Sequence, residues 1–66
     1  MSKYVLSYTI QSPGKKNIVS SLAFELSSGI QEEARTKGDG MLEDMEKNLK
    51  QDDKNVKVYF GTLLQI

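Results

Sequence analysis

The chain has 66 residues, with nine basic and nine acidic side chains, no cysteine and no histidine. Disulfides, thiolate metal sites and thiol chemistry are thereby excluded, and the commonest metal ligand and general base are missing. The even charge balance disfavours nucleic-acid binding, which usually shows a basic excess. No apolar run approaches the roughly 20 residues that a membrane-spanning helix needs.

A single domain of this length, residues 1–66, buries only about 60% of the surface its unfolded chain exposes. Partnering is therefore an expected source of stability, and a homo-oligomer, most simply a dimer, is expected. Met1-Ser2-Lys3 leads into an alternating pattern rather than an apolar h-region. No signal peptide is expected, and the chain reads as cytoplasmic.

Lys3 to Gln11 alternates with period two. Tyr4, Leu6, Tyr8 and Ile10 share one face, and Val5, Ser7 and Thr9 the other, in strand-forming residue types. Ser12 to Asn17 breaks the pattern. Pro13 fixes its own φ and Gly14 supplies a positive one, as a type II turn requires. This loop sets Lys15 and Lys16 at its tip. Ile18 to Leu26 fits two periods. As a strand, Ile18, Ser20, Leu22, Phe24 and Leu26 share a face; as a helix, Ile18, Val19, Leu22 and Leu26 form a stripe. The turn before it, its length and the helix-start signal after it favour a strand, paired with the first as a hairpin.

Ser28 to Lys50 predicts a helix. Ile30, Ala34, Met41, Leu42, Met45 and Leu49 fall within a sector of roughly 120° at helical spacing. Ser28 as N-cap with Gln31 three residues on fits a capping box. Gly38 and Gly40 each cost about 1 kcal/mol in a helix interior. Yet Ile30 and Ala34 keep phase with Met41, Met45 and Leu49 straight through them. One long helix, kinked at the glycines, is favoured over two helices with Asp39 capping the second. Glu33–Lys37, Glu43–Lys47 and Glu46–Lys50 are i,i+4 pairs of the supportive order. After a polar turn at Asp52 to Asn55, the segment to Ile66 alternates again. Strict alternation puts Val56, Val58, Phe60, Thr62, Leu64 and Ile66 on one face. Lys57, Tyr59, Gly61, Leu63 and Gln65 fall on the other.

Strand, strand, helix, strand assembles as a two-layer α+β sandwich of ββαβ type. The three-stranded sheet is mainly antiparallel in the order 2-1-3, and the helix covers one face. Leu6, Tyr8, Ile10, Leu22, Phe24, Val58, Phe60 and Leu64 are expected beneath the helix.

Candidate chemistry is sparse. Asp39, Glu43 and Asp44, and the pair Asp52 and Asp53, lack the alternating spacing of a calcium loop. Ser20-Ser21 and Ser27-Ser28 lack an activating base and an elbow motif. Gly38-Asp39-Gly40 has no strand before it and no Gly-Lys-Ser/Thr ending. Met41 and Met45 stand on the buried stripe and read as core. No cofactor, metal or enzymatic activity is expected. The far side of the sheet, with Val5, Ser7, Thr9, Val19, Ala23, Tyr59 and Leu63, is less polar than a solvated face requires, and the two outer strands have open edges. Val5, Val19, Tyr59 and Leu63 are the candidate interface residues. The expected function is a small non-catalytic interaction module: a regulator, inhibitor or assembly factor, a kind of protein often encoded by phages and mobile elements. The alternative is a small nucleic-acid-binding protein that uses Lys15, Lys16 and the scattered lysines.

Overall fold

A computed structural model describes residues 2–66. Strand β1 runs over Ser2–Gln11, β2 over Ile18–Leu26, helix α1 over Gln31–Leu49 and β3 over Lys57–Gln65. The sheet has the order β2-β1-β3, and β1 is antiparallel to both neighbours. The architecture is the α+β sandwich that the sequence predicts.

The β1–β2 hairpin forms because its alternating faces match residue for residue, from Ser2 opposite Leu26 to Ile10 opposite Ile18. Its loop closes as expected. The Lys15 N–H donates to the Ser12 carbonyl at 3.2 Å, and Gly14 takes a φ of 74°. The segment Ile18–Leu26, which fits two periods in sequence, is extended because β1 offers it a complete ladder.

Helix α1 passes through Gly38-Asp39-Gly40 as one continuous element of 19 residues. Its buried line is Ala34, Gly38 and Leu42. A Cβ on Gly38 would come within 3.0 Å of the Leu6 Cδ2, so this glycine lets helix and sheet approach closely. The core beneath is Leu6, Tyr8 and Leu42, flanked by Ile10, Leu22, Phe24, Met45, Val58, Phe60 and Leu63. Tyr4 is fully buried, and its ring stacks on Phe24 at 5.7 Å.

Three expectations need correction. The helix N-cap is Ile30, with no side-chain cap, and its side chain is exposed rather than in the core. Ser28 instead donates its hydroxyl to the Glu33 carboxylate, a side-chain contact five residues on rather than a bond to a backbone N–H as in a capping box. Of the three i,i+4 ion pairs, only Glu46–Lys50 forms among the described residues, at 3.8 Å; Glu33 is taken by Ser28 and Lys37 reaches across to β2.

The third correction concerns β3. Its register against β1 shifts between Leu6 and Tyr8, so that Gly61 and Thr62 together oppose Ser7. This is a β-bulge, and an extra residue reverses the facing of everything beyond it. Leu63 therefore pairs with Leu6 and joins the core. Leu64 pairs with Val5 on the outer face and is 64% exposed. The bulge has a specific residue basis. A Cβ at Gly61 would lie 2.7 Å from the Ser7 carbonyl oxygen. The Thr62 N–H donates to the Ser7 Oγ at 2.8 Å, and the two hydroxyls are hydrogen-bonded at 2.8 Å.

Candidate functional site

The helix lies mainly over β3 and β1, and the two outer edges of the sheet are consequently very different. On the β3 side, the Glu46 Oε1 accepts the Val58 N–H at 3.0 Å, so a helix side chain closes an edge donor. Arg35 sits over the Phe60 ring at 5.2 Å, and the bulge interrupts the strand further along. Covering groups and bulges are the usual means by which an edge is made unfit for pairing.

On the β2 side these devices are nearly absent. The direction of its free groups follows from the ladder. The Val58 N–H points away from β1, so Ile10 and Val58 form a non-hydrogen-bonded pair, and Ile10 directs its own groups to β2. By alternation, the even-numbered residues of β2 bond to β1. Val19, Ser21, Ala23 and Glu25 turn their N–H and C=O groups outward. Lys37 agrees with this assignment: its Nζ donates to the Glu25 carbonyl at 3.4 Å and lies 5.8 Å from the Phe24 ring. Beyond that contact, Val19, Ser21 and Ala23 present an unbroken edge. From Ile18 to Phe24 the strand carries no charge and no proline, and its register with β1 has no bulge. Its end is also the least covered part of the sheet, with Ile18 57% and Val19 74% exposed.

The outer face holds Val5, Val19 and Tyr59 as expected, but Leu63 has left it for the core. Val5 is half-buried, Tyr59 is exposed, and Leu64 now lies beside Val5. The face is divided. Ala23, Val5 and Leu64 form one apolar row, and Val19, Thr9 and Tyr59 another. Between them runs a hydroxyl row, Ser21, Ser7 and Thr62. No continuous apolar patch results, so the edge is the better-defined surface.

Lys15 and Lys16 are both exposed. Only Lys15 lines a shallow cleft, together with Asn17, Asn55, Lys57 and Tyr59. A larger groove between the helix start and β3 is walled by Gln31, Glu32, Arg35 and Phe60, and so carries one acidic and one basic side chain. Among the described residues, no three acidic side chains come together in a way that could hold a metal ion. Among the described residues, no helix is long and apolar enough to cross a membrane. The sequence signal for the edge was present in the uncharged run Ile18–Phe24. The protection of β3 by Glu46 had none, since Glu46 reads simply as a partner of Lys50.

Compared with protein families, with curated proteins and with solved structures, the chain finds no match.

Proposed function

We propose that the protein is a small non-catalytic interaction module, a regulator, inhibitor or assembly factor, that binds another polypeptide by strand addition to β2. The observation that supports this reading is the contrast between the two edges. One is closed by Glu46 and broken by a bulge; the other offers Val19, Ser21 and Ala23 with no charge or proline among them. In strand addition, backbone bonds give affinity and alternate side chains give specificity.

Ser21→Pro tests the reading. The Ser21 N–H points outward, so its removal leaves the β1 ladder whole, and proline is tolerated at such edge positions. Wild type and variant are immobilised at equal amounts and exposed to extract of the native host. Partners that bind the wild type are expected to be lost from Ser21→Pro, while both proteins keep the same circular dichroism. Retention of the same partners by a folded variant contradicts edge recognition.

A second reading follows from the cleft at the hairpin end. Lys15 and Lys57 with the exposed Tyr59 ring combine cationic groups with a stacking surface, as single-stranded nucleic-acid sites do. Salt-sensitive retention on single-stranded DNA that weakens in Lys15→Ala and Tyr59→Ala supports it. Passage through the column at low salt rejects it.

A further inference from the structure

Resting on the reading of β2 as a docking edge, we infer that its occupant is β2 of a second copy. The two strands run antiparallel about a two-fold axis through Ser21, joining the two sheets into one. The outward carbonyls that Lys37 leaves free belong to Val19, Ser21 and Ala23, a set symmetric about Ser21. In the two-fold register, Ser21 faces its own counterpart and Val19 faces Ala23. On the inner face, Ile18 meets Phe24 and Ser20 meets Leu22. The pairing thus covers Ile18 and Val19, which the single chain leaves 57% and 74% exposed.

Neighbouring registers fit less well. A slide of two residues one way sets Val19 opposite Glu25, whose carbonyl Lys37 already engages. The opposite slide runs Phe24 against the hairpin loop. The central register also places an acidic group near the lysine tip, although Lys3 of the same chain shares that carboxylate at 3.7 Å. Asn17 falls opposite Glu25, which brings the Lys15-Lys16 tip of each copy toward the Glu25 end of the other. The contact is a short ladder, at the small end of specific interfaces, so the dimer dissociates on dilution.

The test uses the full chain. Directly opposed residues of a hydrogen-bonded pair have Cα atoms about 5.5 Å apart, within disulfide reach. The chain has no other cysteine. Under an oxidised glutathione buffer, Ser21→Cys is expected to form covalent dimer at least about tenfold faster than Ala23→Cys, whose two copies are offset along the ladder. Sedimentation velocity of the native chain is expected to show a monomer–dimer equilibrium, which Ser21→Lys is expected to abolish by opposing two ammonium groups at the axis. Ser21 is exposed, so this variant keeps both its fold and every backbone donor of the edge. A native chain that stays monomeric at high micromolar concentration overturns the second copy as occupant; partner loss in Ser21→Pro then still upholds the edge. A dimer that survives Ser21→Lys, or that cross-links equally well through Ala23→Cys, overturns this pairing.

Discussion

Gly38 and Gly40 stand on one helix but face different surroundings. Nothing lies within 4 Å of a Cβ built on Gly40, so Gly40→Ala carries only the conformational benefit. It is expected to stabilise the fold by about 1 kcal/mol, read as a higher urea midpoint. Gly38→Ala gains the same helix propensity but presses on Leu6, which is fully buried. Overpacking costs about 1–3 kcal/mol, so the midpoint is expected to fall. Tyr4 offers a second residue-scale check. Its hydroxyl is buried without a hydrogen-bond partner among the described residues. Tyr4→Phe keeps the stacked ring and removes the unmet group, and thermal unfolding is expected to report a gain of about 1 kcal/mol. A loss in that variant contradicts the environment assigned to the hydroxyl.

At the scale of elements, β3 carries the sharpest distinction. Strict alternation puts Leu64 inside and Leu63 outside; the bulge at Gly61 and Thr62 exchanges them. Leu63→Ala is expected to lower stability by about 2 kcal/mol, and Leu64→Ala to change it by less than about 0.5 kcal/mol. Equal or reversed effects in denaturant titrations contradict the bulged register. The same element marks the limit of sequence reading here. Strand and helix identities, and the order β2-β1-β3, follow from apolar period and turn chemistry, both local properties of the chain. The bulge depends on Gly61 meeting Ser7, residues far apart in sequence, and a lone glycine in a strand pattern is only a weak local signal for it. The helix starts later than the Ser28 cap pattern predicts, for a related reason. Ser28 has the chemistry of a cap, but Glu33 engages its hydroxyl, and the first helical bond runs from the Ala34 N–H to the Ile30 carbonyl.

At the scale of the whole molecule, the off-centre position of α1 sets the behaviour of both edges. By lying mainly over β3 and β1, the helix places Glu46 where it closes one edge, while Lys37 reaches one end of the other. An extended particle of 39 × 19 × 14 Å results, with the β2 edge and the hairpin tip outside the shelter of the helix. The outer face contributes two separate apolar rows rather than a patch, which is why association is assigned to the backbone of β2. The proposed dimer and the proposed recognition of other chains use the same groups, so each competes with the other. On this proposal, self-association would cover the edge until a partner displaces it.

Residue-resolved amide exchange, followed as protein concentration rises, tests the central assignment most directly. The N–H groups of Val19, Ser21 and Ala23 are expected to exchange quickly in dilute protein and to become protected on concentration. The Val58 N–H, held by Glu46, is expected to stay protected throughout. Exchange at those three amides that ignores concentration, or new protection that arises along β3 instead, contradicts the account.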